Sequence, residues 1–397
     1  MVNILVVNCG SSSLGFKVYQ TTGSDDSKVI LAGKARNVAT QTKTQPRIEW
    51  SQDGGMQSRE CPLPSHQAAA QEMLTILREN KIHPDAVGHR FVHGGELFNA
   101  TTRVDARSLG GLTQVLPLAP IHNPNSFSAI QVCLEELPGV AEFVVFDTAF
   151  HASLPVEAST YALPRDLADR YGLRKYGFHG LSYQYVSTRA AALLEQPLEQ
   201  IKLIMCHLGT GGSSVCAFAN GHSMETSMGF SPLAGLVMST RCGDIDAEVA
   251  LELVRRGMPA DEVSSVLNNQ SGLIGLSGYS SNLAEIIEAA EAGDEACRIA
   301  YEVYARRLKH YLGAYTYLLN GADGIVFTDD IGVTSWKLRE KVCSGADRLG
   351  IRLDAVLNRR ATDYHPAFIQ SMQSSVKILV LPTNEEQVIL EEVLRML

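Results

Sequence analysis

The sequence predicts an α/β protein of two domains, and three observations carry that prediction. The chain is 397 residues long, more than one hydrophobic core usually organises. Short apolar strands alternate with stretches of helical period, the pattern of α/β folds. One unit of strand, small-residue turn and returning strand occurs at the N-terminus and again midway, which suggests an internal duplication.

The first copy reads as a strand over residues 3–8, the turn Gly10-Ser11-Ser12-Ser13 and a strand over residues 14–19. The second reads as a strand over 202–207, the turn Gly209-Thr210-Gly211-Gly212-Ser213-Ser214 and a strand over 215–219. Asn220-Gly221 then supplies a tight hairpin turn. A strand over 324–328 runs into Asp329-Asp330-Ile331-Gly332, read as a loop before a helix that begins near Ser335. Helices are predicted over 65–80, 125–136, 182–194, 247–256 and the long stretch 295–319. The last strand, 376–381, precedes a helix over 385–396 capped by Asn384, with acidic residues where the helix dipole favours them. The domain boundary is expected near residues 146–155, where a strand ends in Asp147-Thr148-Ala149-Phe150-His151.

Composition narrows the function. A net charge of −9 argues against a nucleic-acid or anionic-membrane surface, so an anionic substrate must meet local positive charge. No apolar run reaches the ~18 residues of a membrane span, and the N-terminal run is too short for a signal-peptide core. A cytoplasmic protein is expected. The eight cysteines include no CxxC pair, which points to reduced core thiols rather than a disulfide framework or a zinc site.

Small-residue turns after strands let backbone N–H groups close on phosphate oxygens, although a hairpin needs such a turn in any case. Gly88-His89-Arg90-Phe91-Val92-His93-Gly94-Gly95 places an arginine at a strand end beside glycines, and Ser239-Thr240-Arg241-Cys242-Gly243-Asp244 does so again. Each guanidinium can fork onto a carboxylate or phosphate, or form a surface salt bridge. His179, in Tyr176-Gly177-Phe178-His179-Gly180, reads equally as a functional or a structural histidine.

These motifs form an ordered series with Asn8-Cys9-Gly10-Ser11-Ser12-Ser13, Ala119-Pro120-Ile121-His122-Asn123-Pro124, His207 to Gly211, Thr226-Ser227-Met228-Gly229-Phe230 and Thr383-Asn384-Glu385-Glu386. The series resembles the acetate kinase family over nearly the whole chain. The resemblance implies two ribonuclease H-like domains of the actin and sugar kinase type, 1–148 and 149–384, with an active-site cleft between them. It implies that 385–397 is a helix packing back on the first domain, and that the protein is a homodimer. The implied reaction moves a phosphoryl group between ATP and acetate or propionate, giving ADP and an acyl phosphate, with Mg2+.

By the same resemblance, Asn8 and Glu385 stand at the magnesium positions and Arg90 at the carboxylate binder. Asp147 stands at the catalytic acid, and His179 and Arg241 at the transition-state stabilisers. Val92, His122, Phe178 and Pro232 line the acyl pocket. The nucleotide side comprises Ser11, Ser13, Lys17, His207, Gly209, Thr210, Gly211, Asn282, Asp330 and Gly332. Two arginines and a histidine suit charge spread over three equatorial oxygens. The acceptor carboxylic acid is already ionised near pH 7 and leaves no proton to remove. Asp147 is therefore assigned to orienting an arginine or holding magnesium water. Valine at position 92 leaves little room beyond a methyl group and leans toward acetate over propionate.

The departures from the family pattern gather on the nucleotide side. Gly15 stands where the family has a lysine, with Lys17 two positions on along the same strand face. Thr210 replaces the asparagine of H-L-G-N-G, and Ser280-Ser281-Asn282-Leu283-Ala284 lacks the acid and the arginine of S-S-D-x-R. Thr328-Asp329-Asp330-Ile331-Gly332-Val333-Thr334 puts two carboxylates where T-G-G-I-G-E-N has two glycines. An unanswered like-charge pair at about 4 Å costs about 4 kcal/mol at an effective dielectric near 20, and losing glycine hinders any positive φ there. Three readings follow: an acetate kinase using ATP, the same chemistry with another donor such as pyrophosphate, and a non-catalytic relative that binds acyl phosphate or a protein partner.

Overall fold

The computed structural model describes residues 1–23, 26–40, 45–52 and 54–397. The chain divides into one unit of Met1–Ala152 with Asn384–Leu397, and a second of Ser153–Thr383. In the first unit the strands are β1 (Val2–Cys9), β2 (Ser13–Gly23), β3 (Asp26–Arg36), β4 (Arg47–Gln52), β5 (Gly55–Glu60), β6 (Ala86–Phe91), β7 (Thr102–Arg103) and β8 (Ala141–Phe146). They form one sheet in the order β5-β4-β3-β2-β1-β6-β8-β7. The second unit contains β9 (Leu203–Gly209), β10 (Gly212–Ala219), β11 (His222–Thr226), β12 (Gly324–Thr328), β13 (Ala367–Phe368) and β14 (Lys377–Val380). Their order is β11-β10-β9-β12-β14-β13.

The two sheets share a plan. Three antiparallel strands lead each one, β1-β2-β3 and β9-β10-β11. Two parallel neighbours follow, β6 and β8 or β12 and β14, and a short antiparallel edge strand closes each sheet. The predicted duplication is thus visible as topology. Ile4, Leu5, Val6 and Val7 are all buried, as the central strand of a sheet covered on both faces requires.

Each face of the first sheet is covered by helices. His66–Glu79 and Asn123–Glu136 pack together over one face. The C-terminal helix Glu385–Met396 lies on β1 and β6. Gly88 sets that approach, because a Cβ there would lie 2.6 Å from Ile389 and 2.7 Å from Val393. In the second unit the long helix Glu295–Leu318 contributes Tyr304, Leu308, Leu312 and Tyr315 to the core beside β9, β10 and β12. All eight cysteines are free, and Cys9, Cys133, Cys206, Cys216, Cys297 and Cys343 are buried.

Two expectations need correction. The turn expected over 209–214 shrinks to Thr210-Gly211, because the ladder continues through Gly209 paired with Gly212 and His207 paired with Ser214. The loop expected over 329–332 is the first turn of a helix, Asp329–Thr334, which ends before a second helix, Trp336–Cys343. Strands β3 to β5 carried no clear signal, since their mixed burial breaks the alternation a sequence pattern relies on.

Replacing Gly88 by valine is expected to destabilise the protein by about 1–3 kcal/mol through overpacking against the C-terminal helix. Urea unfolding checks this, and an unchanged midpoint would contradict the close packing.

Candidate active site

In the first unit, strand register gathers the polar side chains. Val6 pairs with Gly88 and Val7 with His89, so Asn8 and Arg90 follow at the same edge. Arg90 pairs in turn with Val145 and Phe91 with Phe146, which puts Asp147 one step beyond the end of β8. Arg90 donates from Nε to Asp147 Oδ1 at 3.0 Å, from Nη2 to Oδ2 at 2.6 Å and from Nη1 to Asn8 Oδ1 at 3.1 Å. A guanidinium has five N–H groups. These three bonds leave one N–H on each terminal nitrogen, the outer fork that matches a carboxylate.

Burial works against the charge on Arg90, but the fields of Asp147 and Glu385 outweigh it and hold its pKa above the ordinary value. Glu385, the first residue of its helix, lies 3.6 Å from Arg90 Nε. Lys17 is paired with Glu386 at 3.7 Å. The Asn384 side chain caps the same helix by accepting from Gln387 N. In the turn before β2, Ser11 is exposed and Ser13 opens the strand, its carbonyl accepting from Gly10 N. His66 Nε2 bonds Gly10 O at 2.9 Å, a support the sequence reading missed.

Buried polar bonds join three of the motifs. Asn123 accepts from His93 N and donates to His93 O and Val115 O. Gly94 N donates to Thr148 Oγ1. Val92 is buried directly before His93, and His122 directly precedes the helix Asn123–Glu136. Asn123 stands inside a motif already singled out, but its role depends on contacts 30 residues apart.

In the second unit, His179 and Arg241 meet over Gly212. A Cβ on that glycine would lie 3.1 Å from Arg241 Nη1 and 3.4 Å from His179 Nε2. His179 caps the helix Gly180–Leu193 with φ of 60°, a left-handed conformation uncommon outside glycine. Its Nδ1 bonds Ser214 Oγ at 2.8 Å, and its ring stacks on His207 at 4.0 Å. Phe178 is buried beside it.

Arg241 is half-buried, and its contacts are long: Pro232 O at 3.5 Å and Met238 Sδ at 3.7 Å. Among the described residues no carboxylate pairs with it, and burial lowers its pKa. It is a desolvated cation that lacks an anion.

The departures found in the sequence prove to be partners of one another. Thr210 donates its N–H to Asp330 Oδ1 at 2.9 Å and its hydroxyl to Oδ2 at 2.7 Å. His207, whose Nδ1 bonds Ser182 Oγ, places Nε2 3.1 Å from Asp329 Oδ2. Asp329 adopts φ of 65°, the positive value a glycine would take freely. Its carboxylate covers Gly209, where a Cβ would sit 2.0 Å from Oδ2. Both acids therefore have hydrogen-bond partners that hold them in place, while their negative charge remains. Thr210, Asn282, Ala284, Asp330, Trp336 and Lys337 line one cavity of about 510 Å³. Gly211 is exposed beside Thr210, whereas Gly332 is buried with its carbonyl accepting from Arg339.

The model of the acetokinase family matches residues 3–391. An acetate kinase of Dictyoglomus thermophilum is 40% identical, with 99% of both chains covered. The crystal structure of Porphyromonas gingivalis acetate kinase superposes with a TM-score of 0.90 at 34% identity over all of both chains. A propionate kinase from Francisella tularensis superposes with a TM-score of 0.89 at 34% identity over 99% of both chains.

Burial of His66 lowers its pKa from the ordinary value near 6.5. The folded state therefore holds neutral imidazole, and this contribution to stability is full above about pH 6.5 and is lost as pH falls through the lower folded value. Unfolding free energies measured from pH 7.5 down to 5 are expected to decline, and His66→Gln to flatten that slope. An identical slope in the variant would remove His66 as the cause.

Proposed function

Because the chain belongs to the acetokinase family, we propose that it acts as an acetate kinase, reversibly transferring the γ-phosphoryl group of ATP to acetate to give acetyl phosphate and ADP. The observation that carries this reading is Arg241, a desolvated guanidinium beside His179 with no carboxylate partner among the described residues. Such a pair suits the oxygens of a phosphoryl group in transfer, whose charge needs fixed donors.

Arg90 takes the acceptor. Its outer fork meets the acetate carboxylate while Asp147 grips the inner edge. Asp147 is then an orienting group, since both of its oxygens accept from Arg90 and an ionised acceptor needs no base. Val92 and His122 in the first unit, and Phe178 and Pro232 in the second, are assigned to the methyl group. One extra methylene is worth about 1–3 kcal/mol at such a wall, so propionate is a slower substrate. His207, Gly209, Thr210, Gly211, Asn282 and Asp330 in the second unit are assigned to the nucleotide, with Gly332 supporting them from the interior, and so are Ser11, Ser13 and Lys17 in the first unit.

Magnesium fits the residues present. Among the described residues no group of three or more His, Cys, Asp or Glu side chains is arranged to hold a metal unaided. Mg2+ needs only one or two carboxylates beside substrate phosphates and water. Glu385 and the Asn8 amide oxygen, both set against Arg90, offer the hard oxygen donors it prefers. Bound there, the ion would neutralise phosphate charge. We extend the proposal to a cytoplasmic homodimer without nucleic-acid or membrane partners. The net charge of the chain is −9, and no helix among the described residues is long and apolar enough to cross a membrane.

The readings with another donor or with no catalysis are less favoured. The transfer residues are all present, and Thr210 and His207 hold the two acids by hydrogen bonds inside the loop.

A hydroxamate assay for acetyl phosphate with ATP, Mg2+ and acetate tests the proposal, and absence of product sinks it. Arg241→Ala is expected to lower kcat about 10²–10³-fold. Asp329→Gly with Asp330→Gly is expected to lower the KM for ATP about fivefold, as a screened charge worth about 1 kcal/mol allows. The KM for acetate should not move, and an unchanged KM for ATP would refute the electrostatic role of the two acids.

A further inference from the structure

We propose that Arg307 and Tyr311, on the helix Glu295–Leu318, act with Asp244 as positioning residues that fix the segment carrying Arg241. They thereby set the rate of phosphoryl transfer without touching the substrate. The proposal rests on the reading of Arg241 given above.

Among the described residues Arg241 has no ion pair to hold it, and its side-chain bonds to Pro232 O and Met238 Sδ are long. Its placement must come from the backbone. Residues 235–244 are closed into a ring at their ends: Asp244 N donates to Gly235 O at 3.0 Å, and Gly235 N donates to Asp244 Oδ1 at 2.7 Å. Two glycines allow the closure. Gly235 has φ of 99° and Gly243 φ of 68°, and a Cβ on Gly243 would lie 2.4 Å from Leu236 O.

One arginine spans both ends of that ring. Arg307 donates from Nη1 to Gly235 O and from Nη2 to Asp244 O, each at 2.9 Å. The planar fork is pre-spaced for two acceptors, which a lysine ammonium is not. Tyr311, one helical turn on, donates its hydroxyl to Asp244 Oδ2 at 2.5 Å. Burial and the neighbouring Asp244 raise the pKa of Tyr311, so the hydroxyl keeps the proton it donates.

The middle of the ring is tied elsewhere. Met238 N donates to Arg241 O, Ser271 N to Thr240 O and Cys242 N to Leu267 O. Arg241 is thus held at a backbone whose ends are bolted to a core helix. A shift of about 1 Å at a transfer centre costs about 10²-fold in rate, so loosening the ends should appear in kcat rather than in binding.

The test is steady-state kinetics of the full chain in the hydroxamate assay. Arg307→Ala is expected to lower kcat about 10–100-fold while both KM values stay within about threefold. Arg307→Lys should recover part of the loss and Tyr311→Phe should lose less. Arg306→Ala, the exposed neighbour, should leave kcat unchanged. Because Arg307 acts through Arg241, adding Arg307→Ala to Arg241→Ala should cause no further loss.

Additive losses in that double variant, full kcat in Arg307→Ala, or an equal loss in Arg306→Ala would each overturn the clamp. Unaltered kcat in Arg241→Ala would instead defeat the reading of Arg241 itself. Should Arg307→Ala fail to fold, Arg307→Lys and Tyr311→Phe carry the same comparison.

Discussion

Parallel pairing brings the C-terminal ends of neighbouring strands to one edge of a sheet, and in both units candidate functional groups stand at that edge. In the first unit the registers of β1 with β6 and of β6 with β8 deliver Asn8, Arg90 and Asp147 side by side. In the second, β9 pairs with β12 so that His207 stands opposite Thr328, and the chain leaves β12 directly into Asp329. A slip of one residue would turn each of these side chains to the other face. The buried side chains of β1, β9 and β12 oppose that slip, since it would force each close-packed core position to take a different side chain. Core hydrophobicity thereby sets the geometry of charged groups it never touches.

The two arginines use opposite electrostatics. Arg90 is held by Asp147 and Glu385, which strengthen its charge and leave one edge of the fork for a ligand. Arg241 is held by backbone, burial lowers its pKa, and among the described residues no carboxylate pairs with it. A cation that is already paired can select an anion by shape. One that is unpaired gains most when charge arrives, which is what stabilising a transferring phosphoryl group requires.

Much of this was legible from the sequence because it depends on local pattern. The hairpin turn at Asn220-Gly221, with φ of 55° and 77°, follows from the dipeptide. The helix Glu385–Met396 with its Asn384 cap follows from a polar residue before an amphipathic run. The supports were not legible. His66 reaches Gly10 from 56 residues away and Arg307 reaches Gly235 from 72. In the sequence each is an unremarkable polar residue on a predicted helix. The acids at 329 and 330 were visible as a departure, but the bonds that Thr210 and His207 make to them were not.

That last case shows why a substitution should be read with its neighbours. Thr210 and Asp330 form two hydrogen bonds, and Asp329 pairs with His207 while accepting a backbone conformation that costs about 1–3 kcal/mol in a residue other than glycine. The strain persists because the other end of the short helix is also held. Buried Arg339 donates to Gly332 O and Val333 O and, across from them, to Asn358 O and Ala361 O. Burial lowers its pKa to about 10, yet at neutral pH it stays charged and keeps those carbonyls in place. With its far end fixed by Arg339, the helix cannot swing Asp329 and Asp330 away from the β9–β10 turn. Both ends of that helix are therefore held, and its two acids stay at the β9–β10 turn.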